Sequence, residues 1–165
     1  MAKNRSVVIL LAEDDDDDYL LMKQAFQKAR IANELHRVRN GEELMELLLW
    51  RSGERHDSPP RSGPWPSLIL LDLNMPKMDG RQALREIKAH PELCRIPVVV
   101  LTTSQQDEDV LRSYQAGANS YIRKPVTFEQ LVEMVRTLEK YWFEIVELPA
   151  SDSASLPASA PPTGN

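Results

Sequence analysis

The sequence has little of what marks several large classes of protein. Its 165 residues include a single cysteine, Cys94, so an intramolecular disulfide is impossible and a reducing compartment is expected. The net charge of −5 offers no basic surface of the kind that binds nucleic acid. No apolar run reaches the roughly 18 residues that a membrane span requires. These shortages indicate a cytoplasmic chain that has neither nucleic acid nor a membrane as its partner.

Glycine is missing from the turn after the first apolar run, residues 7–12, where nucleotide-binding folds need it. This absence excludes both the dinucleotide-binding and the P-loop fingerprint at that turn. The same run is too short for a signal peptide. It also meets Glu13 and the aspartates at 14–18, where a cleavage site would need small residues. We interpret the run as the first strand of the fold.

Short apolar strands alternate with helical patterns along the chain. Residues 68–71 are four branched apolar residues that end at Asp72, which is typical of a strand buried on both faces of a parallel sheet. Residues 96–101 form a second such run. Weaker patterns at 34–38 and 120–122 predict two shorter strands. Five strands alternating with five helices predict an α/β fold with a doubly wound parallel sheet.

Polar side chains follow several of these strands at the point where each one ends. Glu13 and Asp14 follow the first strand, Asp72 the third, Thr102 the fourth, and Lys124 comes after the fifth. Parallel strands bring such positions to one edge of the sheet. Three carboxylates at close quarters repel one another, but a bound Mg²⁺ favours such a group. With Asp72 as nucleophile and Lys124 and Thr102 beside it, the set indicates phosphoryl transfer.

Four segments of the sequence, in this order and spacing, resemble two-component response regulator receiver domains over residues 5–148. The chain is similar in particular to the stand-alone receivers that pair with bacterial phytochrome histidine kinases. The segments are residues 9–14, 71–80, 97–104 and 121–125. The resemblance implies a flavodoxin-like, five-stranded parallel sheet in the order 2-1-3-4-5 with helices on both faces.

The resemblance also implies a role for each site residue. Asp72 would accept the phosphoryl group from the phosphohistidine of a sensor histidine kinase. Glu13 and Asp14 would hold Mg²⁺ together with the carboxylate of Asp72 and the backbone carbonyl of Asn74. Lys124 would pair with the phosphate, and its bond to the following proline would be cis.

Two further residues would carry the switch that the resemblance implies. Thr102 would move toward the phosphate and Tyr121 would swing inward, which shifts a pre-existing equilibrium between two states. The function would be that of a single-domain response regulator in a phosphorelay, a phosphoacceptor and not a turnover enzyme. Residues 1–148 would form the receiver domain. The Ala/Ser/Pro-rich residues 149–165 would form a disordered tail, with no output domain.

Two other functions are compatible with parts of this pattern. A haloacid-dehalogenase-type phosphatase also uses a strand-end aspartate and Mg²⁺, but it needs a second aspartate where this chain has Asn74. A receiver-fold scaffold that works without phosphorylation is the other alternative. The complete set of acidic pair, nucleophile, threonine and lysine argues against it.

The last helix predicts a homodimer. Its apolar residues keep a three–four spacing, and about 22 helical residues would span roughly 33 Å, whereas five-residue strands cover only about 17 Å. The helix would then carry an aromatic-rich end beyond the domain core, which is typical of an interface. The residues of this end are Tyr141, Trp142, Phe143, Ile145 and Val146. A helix that bends back onto its own domain is the alternative.

Overall fold

Strands and helices alternate along residues 7–51 and 66–145, which are the residues that the computed structural model describes. The strands are β1 (Val8–Ala12), β2 (Glu34–Val38), β3 (Leu68–Leu71), β4 (Val98–Thr102) and β5 (Ser120–Arg123). The α-helices are α1 (Asp16–Lys28), α2 (Gly41–Arg51), α3 (Gly80–Ala89), α4 (Asp107–Gln115) and α5 (Phe128–Glu139). A 3₁₀ turn covers Leu93–Arg95, and a π-helical segment, Lys140–Ile145, follows α5.

The strands form one parallel sheet in the order β2-β1-β3-β4-β5, so the predicted fold is confirmed. β1, β3 and β4 are buried along their whole length, as their continuous apolar sequences predict. The register pairs Ala12 with Leu71, and the N–H of Asp72 donates to the carbonyl of Ala12 at 3.1 Å. This register sets the carboxyl ends of β1 and β3 side by side.

Each face of the sheet carries its own apolar core, because alternate residues of a strand point to opposite faces. On one face Leu10, Ile69 and Val98 pack with residues of α2 and α3. On the other face Ile9 and Leu70 pack with residues of α1 and α5. The helices therefore cover both faces, and the two cores fix the strand ends from both sides. Among the described helices, none combines the length and the apolar character needed to cross a membrane.

Trp142 corrects the expected course of the last helix. Its side chain is only 6% exposed and belongs to the core that α1 and α5 share, whereas the neighbouring Tyr141 is 50% exposed. The prediction that Trp142 lies beyond the domain core is therefore wrong. The length comparison counted only the strands, but α1 and Ile31 extend this core alongside α5. The side chains of Phe143 and Ile145, all of Val146 and the proposed tail at 149–165 lie outside the described residues.

The Lys124–Pro125 bond differs from the expectation as well. No cis peptide bond occurs in the part of the chain that the structure describes, so the cis geometry implied by the resemblance is not found. The backbone N–H of Lys124 still donates to the carbonyl of Thr102 at 2.8 Å. This hydrogen bond continues the pairing of β5 with β4 and brings Lys124 to the same edge as the other strand ends.

Candidate functional site

The carboxyl edge of the sheet brings the predicted site residues together. Asp72 directly follows β3, Glu13 directly follows β1, and Thr102 is the last residue of β4. All three side chains are buried, although two are carboxylates, which are rarely buried without a partner. Lys124 reaches them from just beyond β5. The parallel register therefore delivers four residues from distant parts of the chain to one small volume.

The carboxylate of Asp72 is held at both oxygens. Oδ1 accepts a hydrogen bond from the hydroxyl of Thr102 at 3.1 Å and another from the backbone N–H of Asn74 at 3.1 Å. Oδ2 accepts from the ammonium group of Lys124 at 3.0 Å. These donors fix the orientation of the carboxylate, and they are groups that can equally donate to oxygens bound at that position.

Lys124 lies among three carboxylates. Its Nζ contacts Glu13 Oε2 at 2.5 Å, Asp18 Oδ2 at 2.9 Å and Asp72 Oδ2 at 3.0 Å. Burial disfavours the ammonium, but the hydrogen bonds to Asp18 and Glu13 and the charge of Asp72 outweigh it. The pKa of Lys124 is therefore raised above its ordinary value, and the side chain stays charged at neutral pH.

Glu13, Asp14 and Asp72 form a group that could hold a divalent cation. Each offers a carboxylate oxygen, and the three atoms lie within 4.8 Å of one another. Burial raises the pKa of Glu13 to about 7, although its hydrogen bond and charge interaction with Lys124 act in the opposite direction. Carboxylate oxygens grouped in this way suit Mg²⁺ or Mn²⁺. The role of the Asn74 carbonyl stays a prediction.

The two expected switch residues lie on neighbouring strands, Thr102 at the end of β4 and Tyr121 in β5. Thr102 is fully buried, and besides its bond to Asp72 its hydroxyl oxygen accepts from the Asn74 side-chain amide at 3.5 Å. Tyr121 packs against the core on the α2 and α3 face. Its hydroxyl is buried and finds no hydrogen-bond partner among the described residues. Burying a hydroxyl without a hydrogen-bond partner costs free energy.

The structure adds two residues that the sequence reasoning missed. Asp18 contacts Lys124 because the first turn of α1 returns it to the end of β1. Arg37 on β2 hydrogen-bonds the backbone after β1 and pairs with Asp16 at 2.7 Å. The contact between Asp18 and Lys124 was not predictable from the sequence, because no spacing rule distinguishes Asp18 from the other aspartates at 14–17. The parallel register, which pairs Arg37 with Leu11, could have indicated the second.

A second, partly buried network lies beside the site, between α3 and α4. Arg81 donates to the two oxygens of Asp109 at 2.9 and 2.7 Å, and the hydroxyl of Ser104 donates to the same carboxylate at 2.5 Å. The hydrogen bonds from Arg81 and then Ser104 lower the pKa of Asp109 to about 2. The hydrogen bonds that Arg81 donates to Asp109 raise the pKa of Arg81 above its ordinary value, although burial acts in the opposite direction. The network connects the loop after Thr102 to both helices.

A parallel 2-1-3-4-5 sheet with acidic residues, a threonine and a lysine at its carboxyl edge defines an α/β receiver-type domain. Comparison with known families agrees. The family described as the response regulator receiver domain matches residues 9–136, and the chain belongs to that family. It is accordingly a receiver-domain response regulator of phosphorelay signal transduction. Receiver domains act with sensor histidine kinases and are in general not turnover enzymes.

The relatives found by comparison include phytochrome response regulators. The chain is 45% identical to response regulator Rcp1 of Synechocystis sp. over 131 residues, which cover 79% of this chain and 85% of that protein. It is similar to the crystal structure of the phosphorylated cyanobacterial phytochrome response regulator RcpA. There the identity is 40% and the TM-score is 0.76, with 87% of this chain and 99% of that chain covered. The Mn²⁺-bound form of Rcp1 aligns with a TM-score of 0.73 at 45% identity, with the same coverage.

Proposed function

We propose that Asp72 is the phosphoacceptor of this response regulator. The observation that carries the proposal is the convergence of Lys124, Thr102 and the Asn74 N–H on one buried carboxylate. An Asp72 oxygen bonds to phosphorus while the phosphorus–nitrogen bond of a kinase phosphohistidine breaks. The departing imidazole keeps the electron pair of that bond and takes up a proton. Water later attacks the phosphorus, the bond to the Asp72 oxygen breaks, and inorganic phosphate leaves while the carboxylate is restored. The chain is thus proposed as a phosphoacceptor and not as an enzyme that turns over an external substrate.

Glu13, Asp14 and Asp72 are the proposed ligands of Mg²⁺, with the carbonyl of Asn74 as a further one. The cation, when bound, supplies positive charge to the phosphoryl oxygens and to the crowded carboxylates. Two observations support the choice of residues: the 4.8 Å spread of their oxygens and the Mn²⁺-bound form of the relative Rcp1. Lys124 donates to Asp72 Oδ2 and can donate to a phosphoryl oxygen there.

Thr102 and Tyr121 are the proposed switch. Thr102 already donates to Asp72, so a phosphoryl group on that carboxylate offers its hydroxyl a new acceptor. The Tyr121 hydroxyl is buried without a partner among the described residues, and a position of the ring that gives it a hydrogen bond would remove that free-energy cost. Phosphorylation is therefore expected to shift the populations of the Thr102 and Tyr121 conformations together.

The chain is proposed to act in the cytoplasm, with a sensor histidine kinase of the bacteriophytochrome type as its phosphoryl donor. Similarity to Rcp1 and to the phytochrome response regulator RcpA supports this choice. The test is transfer of labelled phosphate to this chain from a purified bacteriophytochrome kinase and from an unrelated histidine kinase, at equal concentrations. Faster transfer from the bacteriophytochrome kinase is expected. Equal rates from the two donors would contradict the assignment of the partner.

The carboxyl-terminal segment remains the proposed homodimer interface, made by Tyr141, Phe143, Ile145 and Val146. Tyr141 supports the proposal because half of this large aromatic side chain is exposed next to a core residue. Sedimentation velocity of the full chain should give a dimer for the wild type and a monomer for Tyr141→Glu. Leu21→Glu, at a similarly exposed site on α1, is the matched control and should remain dimeric. A monomeric wild type would contradict the proposal.

Intact mass spectrometry tests the phosphoacceptor directly. After incubation with Mg²⁺ and acetyl phosphate, the wild type should gain one phosphate and Asp72→Asn none. Asp107→Asn, a change at a fully exposed carboxylate of α4, should be phosphorylated as the wild type is. A scaffold would show no phosphate on any variant, and a phosphatase would instead release phosphate from unrelated esters with turnover.

A further inference from the structure

Arg37 contacts the proposed cation site from the edge strand β2. It pairs in register with Leu11 of β1, two residues before Glu13. An arginine on an edge strand would ordinarily extend into solvent, but this side chain is only 10% exposed. The guanidinium lies over the ring of Tyr19 on α1, 4.6 Å from its centroid. The side chain is therefore fixed between β2 and the start of α1.

The guanidinium donates to two consecutive backbone carbonyls. Nε donates to the carbonyl of Glu13 at 2.9 Å, and Nη2 donates to the carbonyl of Asp14 at 3.1 Å. Nη1 pairs with Asp16 Oδ1 at 2.7 Å. Three hydrogen bonds and the contact with Tyr19 thus involve one planar group. Its targets are the backbone of two proposed cation ligands and the first residue of α1.

These contacts determine where the two ligands can be. Glu13 and Asp14 follow the last residue of β1, and α1 begins only two residues later at Asp16. The guanidinium of Arg37 donates to the backbone carbonyls of Glu13 and Asp14, which lie beyond the last residue of β1. It thus replaces the backbone N–H donors that a neighbouring strand would supply if β1 continued. Fixing both peptide units limits the directions in which the two side chains can point. Outer groups that orient metal ligands in this way typically change metal affinity by about 10- to 100-fold.

We propose that Arg37 is a positioning residue for the divalent-cation site, and this inference rests on the proposed function of that site. Its guanidinium holds the backbone carbonyls of Glu13 and Asp14, so that the two carboxylates are oriented toward the cation. Simple electrostatics predicts the opposite effect, because a guanidinium close to a divalent cation repels it. The sign of the change in affinity therefore distinguishes positioning from charge.

Arg39 provides a matched control within the same strand region. Its Nη1 pairs with the same oxygen of Asp16, at 3.0 Å, but the side chain is 58% exposed. Its described hydrogen bonds go to Asp16 and Glu43, and none reaches the backbone of Glu13 or Asp14. Removing Arg39 therefore removes a nearby positive charge and leaves the hydrogen bonds of Arg37 to the two carbonyls in place.

The experiment is calorimetric titration of the full, metal-free chain with MgCl₂. Arg37→Gln should raise the Kd for Mg²⁺ about tenfold. Arg39→Gln should leave it unchanged or lower it slightly. Arg37→Lys keeps the charge but cannot serve two adjacent carbonyls, so most of the loss should persist. Equal or tighter binding by Arg37→Gln, or full recovery in Arg37→Lys, would overturn the inference.

Thermal unfolding separates positioning from a general loss of stability. The increase in Tm on adding a fixed Mg²⁺ concentration depends on Kd, so it should be smaller in Arg37→Gln than in the wild type. A purely structural role would lower Tm with and without Mg²⁺ by the same amount and would contradict the inference. If Arg37→Gln does not fold, the same comparison with Arg37→Lys decides. A wild type that binds no Mg²⁺ would instead refute the proposed cation site itself.

Discussion

Lys124 and Arg81 are both held among carboxylates near the carboxyl edge of the sheet, but the two cations face different surroundings. Lys124 contacts three carboxylates, and the pKa of one of them, Glu13, is raised to about 7 by burial. Arg81 contacts two, and its hydrogen bonds lower the pKa of Asp109 to about 2. The first cluster thus has three carboxylates around one cation, whereas the second has two, and both oxygens of its buried carboxylate, Asp109, accept hydrogen bonds from Arg81.

The difference separates a site that can accept a cation from one that only stabilises the fold. A planar guanidinium satisfies both oxygens of Asp109, and Ser104 adds a third donor. Lys124 offers a single nitrogen to three acidic groups, so the carboxylates retain acceptors for a further positive charge. The same residue types therefore perform different tasks, and the geometry of the cation decides which.

The largest expected effect is the loss of Lys124. Among the described residues, Lys124 is the cation that pairs with Asp72, so the rate of phosphorylation of Lys124→Gln by acetyl phosphate should fall about 100-fold. Arg81→Gln removes the cation of the other cluster and should leave the rate within about threefold of the wild type, since Arg81 does not contact Asp72. The measurement is the initial rate of mass gain at saturating Mg²⁺. Similar losses in both variants would remove the distinction between the clusters.

Stability should respond in the opposite order. Asp109→Ala leaves Arg81 with only the partly exposed Asp79, so the free energy of unfolding should fall by about 2 kcal/mol. Urea denaturation of the metal-free protein measures it, with Asp107→Ala as an exposed control that should change little. A loss below about 0.5 kcal/mol in Asp109→Ala would show that this network contributes little to the fold.

Asp72→Asn should affect stability in the opposite direction. In metal-free protein it removes one of three crowded carboxylates and leaves Lys124 paired with Glu13 and Asp18. We expect the free energy of unfolding to rise by about 1 kcal/mol, because functional sites commonly reduce stability. The same urea series measures this change. A destabilisation as large as that of Asp109→Ala would contradict the view that the first cluster is under-compensated.

Much of the fold and of the site could be predicted from the sequence, because both depend on strand ends. The continuous apolar runs at β1, β3 and β4 predict strands buried on both faces, and the structure has such strands at these places. Once the strands are parallel, geometry alone brings Glu13, Asp72 and Thr102 to one edge. The structure places the Thr102 hydroxyl 3.1 Å from Asp72 Oδ1 and a carboxylate oxygen of Glu13 within 4.8 Å of one of Asp72, as that argument requires.

The errors and omissions have a different origin. Trp142 was misplaced because a helix length compared with strand lengths ignores α1, which packs beside α5. Arg37 contacts the backbone after β1, and Arg81 contacts Asp109. Both contacts depend on the side-chain conformations of residues that lie on elements far apart in the sequence. Hydrophobic periodicity carries no information on such polar pairs. They become visible only when the strand register and the helix positions are known.

The smallest expected effect is the pH dependence of stability, and its sign differs between the two clusters. Asp109 has its pKa lowered from 3.8 to about 2, so the stability it contributes is present above about pH 4 and is lost as the pH falls toward 2. Glu13 has its pKa raised from 4.5 to about 7, so the stability linked to its protonation is present below about pH 4.5. That stability is lost as the pH rises through 7.

In metal-free protein, Asp109→Asn should flatten the dependence of the free energy of unfolding on pH between 2 and 4. Glu13→Gln should flatten the opposite slope between pH 4.5 and 7. Slopes of the same sign in the two windows would contradict this difference between the clusters, since hydrogen bonds favour the ionised form of Asp109 in the folded state and burial disfavours the ionised form of Glu13.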